Sequence, residues 1–97
     1  MDIARFYKER ICPSCGYGLD FTPWENGIGN ERPCPCCGIH FGWDDLDEKQ
    51  RERTYLTWRQ RWIANGKRWW STKPMPENHD PEEQLKRLER LVWGRPS

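Results

Sequence analysis

The sequence carries the run Cys12-Pro13-Ser14-Cys15-Gly16 and then, with eighteen residues between Cys15 and Cys34, the run Cys34-Pro35-Cys36-Cys37-Gly38. No other feature constrains the fold as strongly. In a Cys-x-x-Cys turn, two sulfurs reach one ion at about 2.3 Å while backbone amides bond to them. A glycine after the second cysteine permits the positive φ that closes such a turn. Two copies supply four soft ligands and a closed tetrahedron, so Cys12, Cys15, Cys34 and Cys37 are expected to hold one structural Zn2+.

Cys36 is left over. It could replace Cys34 as a ligand, which would lose the turn spacing, or serve as a redox thiol, and the simplest reading is the variable position of the knuckle. His40 lies three residues beyond Cys37, yet four sulfurs already fill the shell. His79 stands beside a helix cap and reads as a loop residue.

A chain of 97 residues has room for one domain, 1–97, and one small core. Only 35% of residues are hydrophobic against 32% charged, so burial alone is a weak driving force and a staple is needed. Five cysteines cannot all pair as disulfides. Met1 to Ile11 alternates charged and apolar residues with no apolar run of signal-peptide length. No stretch approaches the roughly 20 apolar residues of a membrane span. Thiols held free for metal fit a reducing cytosol, and the expectation is a cytoplasmic, bacterial-type protein.

The formal charge of +1 hides an asymmetry. Met1 to Glu48 holds four Lys/Arg against nine Asp/Glu, a net of −5, and Lys49 to Ser97 holds twelve against six, a net of +6. Four thiolates on a divalent ion would take the first half to about −7.

Residues 12–45 are punctuated by glycines and prolines. The period-two runs Tyr17–Leu19–Phe21 and Ile39–Phe41–Trp43 read as half-buried strands of a small antiparallel zinc ribbon. A first helix is expected over 46–66, capped by Asp44 or Asp45 and stopped at Asn65-Gly66. Trp58, Trp62, Tyr55, Ile63 and Leu56 share one arc of it. Arg59 falls in that arc and should stack on an indole or pair with an acid. The second helix, 80–93, is announced by the cap Asp80, Pro81 at its first position and Glu83. Leu85, Leu88, Leu91 and Val92 form its apolar stripe against the ribbon, and Gly94 with Pro96 ends it. The fold class is thus small α+β: a rubredoxin-like knuckle β-ribbon followed by two α-helices.

The first knuckle and its tail, Cys12-Pro-Ser-Cys-Gly-Tyr17-Gly-Leu-Asp20, resemble a rubredoxin knuckle, which implies iron and electron transfer. Rubredoxin knuckles lie further apart and lack a long helical tail. The whole chain is more similar to the small bacterial cysteine-rich proteins named for a Cys-Pro-Cys-Cys signature. The resemblance rests on the two knuckles, on the aromatic–acidic step Phe41-Gly42-Trp43-Asp44-Asp45, and on Trp62-Ile-Ala-Asn-Gly66 and Asp80-Pro-Glu-Glu-Gln-Leu85. In this chain the Cys-Pro-Cys-Cys run stands in the second knuckle rather than the first. The resemblance implies a zinc-ribbon-like fold more than a function.

A closed four-sulfur site offers no position for water or substrate. The sequence shows no nucleophile motif and no phosphate-binding glycine loop, so an enzyme is not expected, and no small-molecule substrate. Seven tryptophans, Trp24, Trp43, Trp58, Trp62, Trp69, Trp70 and Trp93, exceed what so small a core encloses. Trp69 and Trp70, flanked by Lys67 and Arg68, have the composition of an interface hot spot. The expectation is a non-catalytic protein-interaction module, of the kind an immunity or antitoxin-type inhibitor would be. The alternatives are a nucleic-acid-binding ribbon, since Lys67-Arg68-Trp69-Trp70 interleaves basic and stacking residues, and an iron electron carrier.

Overall fold

The computed structural model describes residues 3–93, with the elements α1 (Ile3–Lys8), β1 (Trp24–Glu25), β2 (Ile28–Gly29), α2 (Arg51–Ala64) and α3 (Pro81–Trp93). The side chains of Val92 and Trp93 and the expected Gly94–Pro96 stop lie outside the described residues. No helix among the described residues is long and apolar enough to cross a membrane.

The protein is small α+β with one two-stranded antiparallel sheet, in which Trp24 faces Gly29 and Glu25 faces Ile28. Asn26 and Gly27 make the tight turn, both at positive φ (53° and 79°), as a hairpin with the right-handed strand twist requires. The runs expected as strands are not strands. Each contributes only an isolated bridge, Ile11 to Gly18 and Pro33 to His40. The knuckle turn consumes the backbone groups that a longer ladder would need. The period-two alternation survives partly as burial: Leu19, Phe21, Ile39 and Phe41 are in the core, whereas Trp43 is exposed.

The two knuckles repeat one another with a 22-residue offset. Gly16 N–H donates to Cys12 O and Gly38 N–H to Cys34 O, both at 2.8 Å, while Cys12 and Cys34 N–H donate to Tyr17 O and Ile39 O at 2.9 and 2.8 Å. Gly16 and Gly38 have φ of 87° and 84°, conformations that a side chain would strain. Both are also covered. A Cβ on Gly16 would lie 2.9 Å from Leu88 Cβ of α3, and one on Gly38 2.5 Å from Trp70 Cδ1.

The first long helix begins later than its sequence pattern predicts. A 3-10 turn over Glu48–Gln50, capped by Asp47 accepting from Lys49 N–H, leads into α2. Asp45 is not a cap. Its carboxylate is buried and accepts from Trp24 Nε1 (2.8 Å), Gly42 N–H (2.7 Å) and Tyr55 OH (2.6 Å). Tyr7 OH of α1 pairs with Tyr55 OH at 2.5 Å, so one carboxylate ties α1, β1, the ribbon and α2 together. Burial, against the neighbouring Tyr55 and Arg51, pushes the Tyr7 phenol up to about 12. Tyr55 is raised as well, by burial first and then by Tyr7 and Asp45. The helix stops where Gly66 and Lys67 N–H donate back to Ile63 O and Trp62 O, a Schellman closure.

Along α2 the buried side chains are Tyr55, Arg59 and Trp62, and Leu56 and Ile63 are partly exposed at the edges of the stripe. The cap of α3 is Asp80, whose Oδ1 accepts from Glu82 and Glu83 N–H at 3.1 Å. Within α3, Leu88 is fully buried and so is Gln84.

Candidate metal centre

The loops described above bring the sulfurs of Cys12, Cys15, Cys34 and Cys37 within 4.8 Å of one another. Cys12 Sγ lies 3.8 Å from Cys37 Sγ and Cys15 Sγ 3.7 Å from Cys34 Sγ. A tetrahedron with metal–sulfur bonds of about 2.3 Å has edges of about 3.8 Å. The donors therefore stand at the spacing a bound ion sets, far from the roughly 2.05 Å of a disulfide. All five cysteines are free. The four residues are arranged to hold a metal ion, and their soft donors suit a zinc-class metal.

The site is closed. Cys12, Cys15 and Cys34 have no exposed surface and Cys37 only 8%. Burial pushes the Cys15, Cys34 and Cys37 thiols up. Burial acts the same way on Cys12, but bonds from Cys15, Cys34 and Cys37 outweigh it and hold that thiol well below its ordinary range.

The outer shell is supplied by the helical half. Arg59 is buried and donates from Nε to Ser14 O and from Nη2 to Pro13 O, both at 2.8 Å. Among the described residues it neither stacks on an indole nor pairs with an acid, the two roles its place on the helix arc suggests; it caps the first knuckle's carbonyls instead. Burial lowers its pKa, and the charges of Cys12 and Cys15 oppose that shift. Trp58 Nε1 donates to Cys37 O at 2.9 Å, and Gln84 Nε2 to Cys15 O at 2.9 Å. These partners fix the ligand-bearing backbone. Sequence reasoning missed Gln84 because it sits one position before Leu85 on a stripe defined by apolar residues.

Cys36 is buried against Gln84 and His79. Gln84 Nε2 donates to its sulfur at 3.4 Å, and His79 Nε2 lies 3.7 Å from it and 2.8 Å from Gln84 Oε1. His79 is thus packed under α3 rather than free in a loop, with its Nδ1 buried and unpartnered. His40 is half-buried, its ring edge-on to Trp70 at 6.1 Å.

The four residues expected to face a partner separate into different roles. Lys67 pairs with Glu82 at 3.0 Å. Trp69 is half-buried between Tyr17 and His79, with ring centroids 5.3 Å from each, and its N–H donates to Lys73 O. Trp70 leans over Gly38 while 52% exposed, and its backbone N–H donates to Cys36 O. Arg68, Trp69 and Trp70 line, with Trp58, Arg61 and Trp62, a cleft of about 370 Å³. The local sequence could not show that this loop hydrogen-bonds to the second knuckle.

No family model, curated protein or solved structure matches the chain.

Proposed function

We propose that this chain is a zinc-stabilised, non-catalytic protein-interaction module. The observation that carries it is the closed shell: four buried sulfurs at tetrahedral spacing leave no coordination position for substrate or activated water. Zinc is favoured over iron because electron exchange needs a ligand edge at the surface, and three of the four cysteines have none. A kinship with the Cys-Pro-Cys-Cys proteins is part of this reading, supported by the two knuckles and the aromatic–acidic step. An immunity-type inhibitor is the finer reading, supported by small size, charge asymmetry and a centre closed to substrate. The test is affinity purification of the tagged protein from its native cells. A co-eluting protein that binds the purified, zinc-loaded chain directly supports the reading. Recovery of nucleic acid alone refutes it.

A second reading is favoured by the cleft that combines Trp58, Trp62, Trp69 and Trp70 with Arg61 and Arg68. Indole faces beside guanidinium groups stack bases and neutralise phosphates. A salt-dependent mobility shift with single-stranded RNA or DNA would support nucleic-acid binding, and no shift at low salt would eliminate it.

A further inference from the structure

Among the described residues the three most exposed large apolar side chains are Ile28 (72%), Trp43 (66%) and Leu46 (63%). They lie on backbone segments that the fold brings together. The hairpin packs through Gly29 directly on the backbone of Gly42, which sets Ile28 and Trp43 on the two chains flanking that contact. Leu46 follows Trp43 by three residues, in the segment that buried Asp45 pins to the ribbon. The other described tryptophans each have a ring contact, a hydrogen bond or a buried face, whereas among the described residues the Trp43 side chain has neither ring contact nor hydrogen bond.

The surroundings are acidic. Residues 25–48 hold six acids and one base. Asp45 is buried, whereas Glu25, Glu31, Asp44, Asp47 and Glu48 are exposed and in no ion pair among the described residues. Glu25 pairs with Ile28 across the hairpin, and Glu31 N–H donates to Phe41 O beside Gly42. The single base, Arg32, lies over the Phe21 ring at 4.9 Å. Arg51, next along the chain after Lys49, is turned inward, bonding Asp45 O and Leu46 O and covering Trp24.

An exposed indole, with two exposed aliphatics and five exposed carboxylates on the adjoining backbone segments against the exposed bases Arg32 and Lys49, is complementary to a basic surface with an apolar pocket. We infer that this hairpin–knuckle end is the docking surface of the module, and that its partner is a protein face in which Lys/Arg residues surround an apolar socket for Trp43. The inference rests on the interaction-module reading and assigns that module's contact to this end rather than to the Trp69–Trp70 loop. A second copy of this chain fits less well, because two such ends repel.

The test is a selection of phage-displayed random dodecapeptides on the zinc-loaded protein, followed by titration of the enriched peptides against variants. Enriched peptides should be net basic with an aromatic or aliphatic anchor. Trp43→Ala should weaken them roughly 30-fold, as loss of a hot-spot indole does. Glu25→Lys with Glu48→Lys should weaken them roughly tenfold and flatten the salt dependence. Trp70→Ala should leave affinity unchanged. All four positions are exposed, and unchanged zinc content and far-ultraviolet dichroism confirm folding. Enrichment of neutral or acidic peptides, dependence on Trp70 instead of Trp43, or concentration-dependent self-association through this end would each overturn the assignment. Dependence on Trp70 would leave the interaction-module reading standing; nucleic acid as the only native partner would remove both.

Discussion

Replacing Asp45 by Asn separates two roles that this residue could have. As a helix cap it would contribute about 1 kcal/mol. In the structure its buried carboxylate instead accepts from Trp24 Nε1, Gly42 N–H and Tyr55 OH at 2.8, 2.7 and 2.6 Å. Hydrogen bonds to a charged group contribute about 1.5–3 kcal/mol each. Asn keeps one oxygen for Gly42 but turns an amide toward the indole N–H and the phenol, which both act as donors here. Two charge-assisted bonds are lost and a part-buried N–H is left unsatisfied, a cost of about 3–5 kcal/mol. A domain of this size has about 5–15 kcal/mol in total. The assay is urea unfolding of the zinc-loaded protein followed by tryptophan fluorescence, with free zinc fixed because bound ligand shifts apparent stability. With a slope of about 2 kcal/mol per molar, the midpoint should fall by about 2 M. Asp44→Asn is the control. Among the described residues that exposed carboxylate accepts only from His40 N–H, and its loss should cost under about 1 kcal/mol. If Asp45→Asn costs no more than Asp44→Asn, the hub assignment is wrong.

Two further perturbations address the metal centre. Cys36→Ser should retain one zinc per chain, because Cys36 lies outside the four-sulfur cluster, whereas Cys34→Ser should lose at least 100-fold in affinity; comparable losses in both would make Cys36 a ligand. Metal affinity should fall with decreasing pH. Burial pushes the Cys15, Cys34 and Cys37 thiols up, and a thiol must lose its proton to bind, so metal binding releases protons. The association constant, measured by competition with a chromophoric chelator, should therefore rise steadily as pH rises through neutrality. An affinity that does not change with pH would mean the thiols are already ionised and would contradict the reading.

The gathering of the cysteines was legible because a Cys-x-x-Cys-Gly turn is a local instruction, complete within five residues. The α3 start was legible for the same reason: Asp80 and Pro81 act within one helical turn. What escaped the sequence depends on groups distant along the chain. Asp45 looks like a cap until Trp24 and Tyr55 are brought to it. Arg59 shares a helix face with tryptophans, and nothing local indicates that the carbonyls of Pro13 and Ser14 will be its acceptors. The Leu19 and Phe41 runs have strand periodicity, but the knuckles spend their backbone groups on turns. The short α1 carries only Phe6 as a buried anchor, too little pattern to read. Trp69 and Trp70 were grouped as adjacent residues with one role, whereas the fold packs one between Tyr17 and His79 and lays the other over Gly38. Trp43, inside an apparent strand, proved the more exposed indole.

The central claim is a closed four-sulfur zinc site that holds the ribbon against its helices. Zinc K-edge X-ray absorption on the purified protein, with metal content measured on the same sample, tests it most directly. One zinc per chain with four sulfurs at about 2.3 Å and no nitrogen or oxygen scatterer is the predicted result. A mixed shell that includes His79 or water, or iron in place of zinc, would contradict it.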